Sequence, residues 1–87
     1  MYTIKFNRKF DFEIVNTNHL IVFNKDNYFL IYGISSRLMK IIILMDSITS
    51  QELLDYAHVN FKKIKNMDKK IHSLVDRLVE LKLLKVL

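Results

Sequence analysis

Residues 19–33 read HLIVFNKDNYFLIYG, a segment in which two apolar stretches flank a short polar one. His19–Phe23 and Tyr28–Tyr32 are rich in β-branched and aromatic residues, which favours strands. The intervening residues 24–27 (NKDN) supply Asn and Asp, whose side chains bond their own backbone and tolerate left-handed dihedral angles. Gly33, the only glycine of the chain, follows the second stretch. The segment therefore predicts a β-hairpin, and the rest of the chain is interpreted around it.

The N-terminal residues extend this hairpin into a sheet. Apolar residues alternate with others over residues 2–6 and again over residues 10–15, where Asp11 and Glu13 separate them. Such alternation predicts half-buried strands. These two stretches are expected to form one or two strands, with residues 10–15 as the first strand of a three-stranded antiparallel meander that includes the hairpin.

The two edges of this meander differ in chemistry. The first strand carries Asp11 and Glu13, and charges of this kind commonly protect a sheet edge from unwanted pairing. The last strand, Tyr28–Tyr32, has neither a charge nor a proline. An exposed apolar edge is an aggregation hazard unless something covers it. Either an internal element, such as the third helix, or a strand from another polypeptide is expected to cover it.

After Gly33 the apolar period becomes helical, and three helices are predicted. Ser35 or Ser36 is expected to cap the first helix, which ends at Asp46-Ser47. Thr49 with Glu52 three residues later forms a capping-box signature for the second helix. Asp68 is expected to cap the third, and the last residues should fold back onto the core. The apolar stripe of the third helix comprises Ile71, Leu74, Val75, Leu78, Val79 and Leu81.

The predicted fold class is therefore α+β: an N-terminal three-stranded antiparallel sheet followed by a three-helix, winged-helix-like unit. Eighty-seven residues fit one domain spanning residues 1–87. The most apolar run, residues 38–44, contains Lys40 and is far shorter than the roughly 20 residues that span a bilayer. Because the N-terminus also lacks a signal-peptide pattern, we predict a soluble, cytoplasmic protein with no membrane partner.

The formal net charge is +5, which favours an acidic partner without identifying it. The lysines of residues 62–70 form a basic cluster, either a solvated connection or a surface that attracts an acidic ligand. Cysteine is absent, which excludes disulfides and thiolate chemistry. The histidines lack metal-ligand spacing, and Gly33 alone cannot form a phosphate loop. We predict no catalysis, cofactor or metal. The basic cluster named above comprises Lys62, Lys63, Lys65, Lys69 and Lys70. The three histidines of the chain are His19, His58 and His72.

If the Tyr28–Tyr32 edge is open, the addition of a peptide strand is its natural use. Main-chain hydrogen bonds would supply affinity and alternate side-chain pockets would supply specificity. A groove between this strand and the third helix would suit a peptide with a few large apolar residues.

The order of these elements resembles the PqqD-like family, the peptide-recognition elements of ribosomal peptide natural product pathways. The resemblance is carried by Tyr28-Phe29-Leu30-Ile31-Tyr32-Gly33, the helix over residues 36–45, residues 46–53 (DSITSQEL), and the final helix ending Leu81-Lys82-Leu83-Leu84. Gly33-Ile34 and Asp46-Ser47 stand where that family often has Asn-Glu and Asp-Gly, which disfavours pyrroloquinoline quinone synthesis.

The resemblance implies a stand-alone protein, as in lasso-peptide systems, that binds the leader of a precursor peptide and delivers it to a leader peptidase or other biosynthetic enzyme. It implies that the leader lies antiparallel to the last strand, beside the third helix. The binding residues carried over by position are Tyr28, Phe29, Leu30, Ile31, Tyr32, Lys70, Ser73, Leu74, Arg77 and Leu81. Ile71, Val75 and Leu78 are expected in the core.

Two other functions fit the same elements. A winged-helix DNA-binding protein would explain the basic charge and the three helices. However, Asp76 and Glu80 on the third helix, and the absence of a wing hairpin after it, argue against nucleic acid. A structural adaptor or inhibitor could use the same edge to bind a folded protein.

Overall fold

The computed structural model describes residues 1–61 and 64–87. Lys62 and Lys63 of the predicted basic cluster lie outside the described residues, whereas Lys65, Lys69 and Lys70 are exposed. The elements are, in order, β1 (Thr3–Phe6), β2 (Asp11–Asn16), β3 (His19–Phe23), β4 (Tyr28–Tyr32), α1 (Ile34–Met45), β5 (Ser47–Thr49), α2 (Ser50–Asn60), α3 (Met67–Glu80) and β6 (Leu84–Val86).

The predicted meander is confirmed as an antiparallel sheet in the order β2-β3-β4. Leu20 of β3 lies between Ile14 of β2 and Ile31 of β4, so one face of the sheet is apolar. The register shifts between Ile14 and Asn16, a β-bulge that bends β2 near its end. At the other end, Asn24 Oδ1 accepts hydrogen bonds from the N–H groups of Asp26 and Asn27, which is the predicted turn chemistry.

The first alternating stretch forms a strand of its own, β1, which belongs to a second sheet in the order β5-β1-β6. Ile4 pairs with Ile48 on one side and with Val86 on the other, both antiparallel. The C-terminal residues therefore fold back as expected, and they do so as a strand. Ile4 and Leu84 are buried, so this small sheet ties both ends of the chain to the core.

One buried cluster joins the two sheets to the helices. Its members follow the predicted periodicities: alternate residues of β3 and β4 point inward, and α1 and α3 each bury one stripe. The residues expected in the core of α3 are all buried. The principal contributors are Leu20, Val22 and Ile31 from the sheet, Leu38, Met39 and Ile42 from α1, and Ile71, Val75 and Leu78 from α3. The α+β class is confirmed.

The start of α1 differs from the prediction. The helix begins at Ile34 with Gly33 as its N-cap, and no side chain caps it. Gly33 has φ 67°, a conformation that favours glycine, and this turns the chain from β4 directly into the helix. Ser35 and Ser36 are therefore already helical, and the Ser36 hydroxyl donates to the Gly33 carbonyl at 2.8 Å.

The capping box of α2 is confirmed, because the Thr49 hydroxyl accepts from the Glu52 N–H and Glu52 accepts from the Thr49 N–H. The start of α3 was predicted wrongly. Asn66, with left-handed φ 57°, precedes the helix, and Asp68 lies within its first turn. The Asp68 carboxylate instead contacts His58 Nε2 at 2.7 Å. Among residues 1–61 and 64–87, no helix is long and apolar enough to cross a membrane.

Candidate functional site

β4 is an open edge of its sheet. It pairs with β3 on one side, and within residues 1–61 and 64–87 no strand pairs with its other side. No described hydrogen bond reaches the backbone of Tyr28, Leu30 or Tyr32 from that side. These three residues are 69%, 54% and 69% exposed, respectively. The sequence left open whether an element of the same chain covers this edge. No strand of the described chain does so.

The hydrogen-bond register determines which backbone groups face the open side. Gly33 donates to the Asn18 carbonyl and Asn24 donates to the Asn27 carbonyl, each at 2.9 Å. Because hydrogen-bonded and non-hydrogen-bonded pairs alternate along an antiparallel ladder, the hydrogen-bonded pairs between them are Leu20–Ile31 and Val22–Phe29.

It follows that Phe29 and Ile31 direct their N–H and C=O groups toward β3. Tyr28, Leu30 and Tyr32 direct theirs outward, where a further strand would lie. Since a sheet residue presents one donor and one acceptor on the same side, these three residues offer a complete row of partners for an added strand. We call this row the β4 edge.

A cleft of about 270 Å³ lies beside the β4 edge. Leu30, Ile31 and Tyr32 form its strand side, and Arg77, Leu78 and Leu81 form its helical side. Ser35 from the first turn of α1 completes the lining. We call it the β4–α3 cleft. Most of its lining is apolar, which suits large apolar side chains of a ligand strand.

The cleft gathers part of the predicted site. Five predicted residues line it: Leu30, Ile31, Tyr32, Arg77 and Leu81. Tyr28 lies on the exposed β4 edge outside the cleft, and Phe29 is half-buried with its ring 6.2 Å from that of Phe10. On α3, Leu74 is half-buried against the core. Lys70 and Ser73 are exposed and do not line the cleft.

Two lining residues were missing from the predicted site. Leu78 was assigned to the core, and it is indeed 4% exposed, but it also lines the cleft. Its position three residues before Leu81 already placed both on one helical face. Ser35 was expected only as a helix cap, and no signal in the sequence indicated that it would face α3.

Arg77 is the charged residue of the β4–α3 cleft. Ion pairs in the described chain join Lys5 and Arg8 to Asp46, and His58 to Asp68. Arg77 takes part in none of these, so its guanidinium is available to a ligand carboxylate.

A different part of α3 packs near the N-terminus, where the Tyr2 hydroxyl lies 3.2 Å from His72 Nδ1. Burial, and then the charge of Asp76, raise the pKa of Tyr2.

Each of the three histidines contacts a different partner residue. His19 Nδ1 is 2.9 Å from Asn16 Oδ1, while His58 and His72 contact Asp68 and Tyr2. Within the described residues no group of three metal-ligating side chains forms. The candidate site is the β4 edge together with the β4–α3 cleft.

Comparisons with known proteins relate this fold to parts of two solved heterocyclase structures. No family model matches the chain, and no curated protein matches it. Among solved structures, the heterocyclase TruD matches all of this chain at a TM-score of 0.71 and 13% identity. A heterocyclase in complex with substrate and cofactor matches all of it at a TM-score of 0.65 and 12% identity.

The chain spans 12% and 11% of the length of those two heterocyclase chains. At such low identity the likeness shows a shared fold alone. The fold of this protein is thus one that also occurs as a small part of much longer heterocyclase chains.

Proposed function

We propose that this chain binds the leader segment of a ribosomally synthesised precursor peptide and delivers it to a leader peptidase or other modifying enzyme. The leader would add to the β4 edge as an antiparallel strand and lie in the β4–α3 cleft. One observation carries the proposal. The outward N–H and C=O groups of Tyr28, Leu30 and Tyr32 have no strand partner within the described chain.

The backbone geometry supports strand addition over docking of a helix. A helix satisfies its own main-chain groups and would leave the β4 edge unpaired, whereas an extended peptide pairs with it directly. A peptide strand next to β4 would place alternate side chains toward Leu78 and Leu81. Affinity would then come from the main chain together with two or three apolar anchors.

The comparisons and the sequence support the assignment to peptide biosynthesis. The same fold occurs within heterocyclase chains, one of them described with its substrate. The sequence pattern resembles the PqqD-like recognition elements, including the stand-alone proteins of lasso-peptide systems. We also propose that the chain binds without catalysing a reaction and acts in the cytoplasm beside a separate enzyme.

The proposal can be tested with short peptides encoded near the gene for this protein. Their N-terminal segments, labelled with a fluorophore, would be titrated with the protein and followed by fluorescence polarisation. We expect Leu30→Pro to abolish binding, because proline removes an outward donor and is tolerated at an edge where that N–H faces solvent. Leu30→Ala keeps the donor and should weaken binding much less.

Two results would contradict the proposal. Equal binding by Leu30→Pro and the wild type would show that the β4 edge is not used. A steep fall of affinity with added salt would indicate phosphate contacts and favour nucleic acid, since strand addition into an apolar cleft depends only modestly on salt.

A further inference from the structure

A second and larger cleft, of about 540 Å³, lies between the β2–β3 turn, α1 and α2. Its lining residues differ from those of the β4–α3 cleft. Arg37 lines this second cleft and Ser35 lines the first. Two residues correspond to about 200° around a helix, so the clefts lie on opposite sides of α1. We call the second one the α1–α2 cleft, and it is lined by Ile14, Asn16, Thr17, Arg37, Lys40 and Tyr56.

Two cations in the α1–α2 cleft are held in place by neutral groups. The Lys40 ammonium donates to the backbone carbonyls of Asn16 and Thr17, the latter at 2.9 Å. The Arg37 guanidinium lies 4.6 Å from the centre of the Phe61 ring, within the range of a cation–π contact. Both side chains are half-buried. Their positions are therefore fixed without a carboxylate.

The charge of these cations is not balanced within the cleft. The lining contains no Asp or Glu, and the ion pairs of residues 1–61 and 64–87 include neither Arg37 nor Lys40. Within residues 1–61 and 64–87, Lys40 keeps one N–H after its two carbonyl bonds and the Arg37 guanidinium makes no hydrogen bond, so both side chains can donate to a ligand. A carboxylate is the group that complements both.

Much of the remaining lining is apolar, so the cleft favours a ligand that carries an apolar group next to its negative charge. Ile14 is 57% exposed at one wall, and the half-buried Tyr56 ring packs edge-on against Phe61 at 6.1 Å. A bare phosphate would contact the cations and leave this surface uncovered. A peptide segment with an acidic residue beside an apolar one would cover both.

We propose that the α1–α2 cleft binds an acidic segment of a partner polypeptide, with a carboxylate held by Arg37 and Lys40 and an apolar side chain against Ile14 and Tyr56. Nucleic acid is a poorer match, because among the described residues only Arg37 and Lys40 bring positive charge to the cleft, and Lys40 already bonds two carbonyls. The proposal does not depend on leader binding, since the two clefts share no lining residue. Both could be occupied at once.

The test is a titration of the isotope-labelled protein, followed by the backbone amide signals in NMR. The probe is the peptide acetyl-LELEL-amide, and its control is acetyl-LQLQL-amide. We expect the acidic peptide to move the signals of Asn16, Thr17, Arg37 and Tyr56, and the neutral peptide to bind about tenfold more weakly. Arg37→Gln should weaken the acidic peptide by a similar factor. Lys85→Gln, the same charge change at an exposed residue of β6, should leave the affinity for the acidic peptide within about twofold.

Several results would overturn this inference. They are equal binding of both peptides, no movement of these signals, or equal or tighter binding of inorganic phosphate or a short oligonucleotide at the same amides. Movement confined to Tyr28–Tyr32 would also overturn it while leaving the β4 edge intact as a binding site. The comparison of the two peptides uses the wild-type protein and holds even if Arg37→Gln does not fold.

Discussion

Ile31 faces Leu20 across β3 and β4 as a hydrogen-bonded pair, and both side chains are buried in the core. Leu30, the preceding residue, faces Ile21 with its own backbone groups turned to the open side. Two successive residues therefore have opposite tasks, since Ile31 holds the sheet together and Leu30 offers partners to a ligand. This division makes the stability and the binding of β4 separable by mutation.

We expect Ile31→Pro to destabilise the protein severely, because it removes a ladder donor and a buried side chain together. Loss of a buried aliphatic side chain alone costs about 2–5 kcal/mol. Leu30→Pro is the matched control. It should lose much less free energy of unfolding, because the N–H of Leu30 faces solvent. Urea denaturation followed by circular dichroism measures both. Equal losses would show that the register of β3 and β4 is not as described.

We expect Leu78→Ala to lower the free energy of unfolding by about 2–5 kcal/mol, since the side chain is 4% exposed within the core. Leu81 is 36% exposed, so Leu81→Ala should cost less than about 1 kcal/mol. Both residues line the β4–α3 cleft and both variants should weaken peptide binding. A loss below roughly 0.5 kcal/mol for Leu78→Ala would mean that the faces of α3 are assigned wrongly.

Gly33 has φ 67° and ψ −140°, and an added Cβ would meet nothing within 4 Å. Gly33→Ala should therefore destabilise through backbone strain alone, by about 1–3 kcal/mol. A chemically synthesised chain with D-alanine at this position adopts positive φ without that strain and should be at least as stable as the wild type. Thermal unfolding of the two chains distinguishes them, and equal stabilities would rule out strain at this junction.

Stability should also fall in acid through Glu52 and Asp46. Hydrogen bonds from the backbone and side chain of Thr49 lower the pKa of Glu52 below its ordinary 4.5. The hydrogen bond from Arg8, and then the charge of Lys5, lower the pKa of Asp46. Since both pKa values are lower in the folded chain, this stabilisation is complete above about pH 5. It is lost as the pH falls through the lowered values.

Glu52→Gln tests this pH dependence, because glutamine can keep the capping-box hydrogen bond but does not titrate. Between about pH 5 and pH 3, the unfolding midpoint in urea should fall less in Glu52→Gln than in the wild type. Glu13→Gln, a change on exposed β2, serves as the control and should follow the wild type. An identical acid response in all three chains would contradict the assignment to Glu52.

The sequence predicted the features that depend on neighbouring residues. The turn at Asn24–Asn27 and the Thr49–Glu52 capping box are encoded within a few residues, and both form as expected. The starts of α1 and α3 were missed because Gly33 and Asn66 adopt positive φ. Each of them turns the chain sharply before the polar residues that were expected to cap the helices.

The pairing of the β5-β1-β6 sheet, which depends on residues far apart in the chain, was not predicted. Nothing local to residues 2–6 indicates pairing with Ser47–Thr49 and Leu84–Val86, and β5 is too short for its own alternation to be recognised. For the same reason, no local pattern in α3 distinguishes its cleft-lining residues from its other exposed residues. Arg77 and Leu81 line the cleft, whereas Lys70 does not, because the whole helix is oriented by its packing against the core.

The small β5-β1-β6 sheet brings the two ends of the chain together, and Leu87 donates to the Thr3 carbonyl at 2.8 Å. Because β1 and β6 are antiparallel with their outer ends side by side, tension between the termini would unzip them one hydrogen bond at a time. A shearing geometry would load all the bonds at once. Going inward from the C-terminus, the element that follows β6 is α3. The force would therefore act next on α3, which forms the helical side of the β4–α3 cleft. Pulling on the two ends of this chain would therefore disturb the cleft soon after β1 and β6 separate.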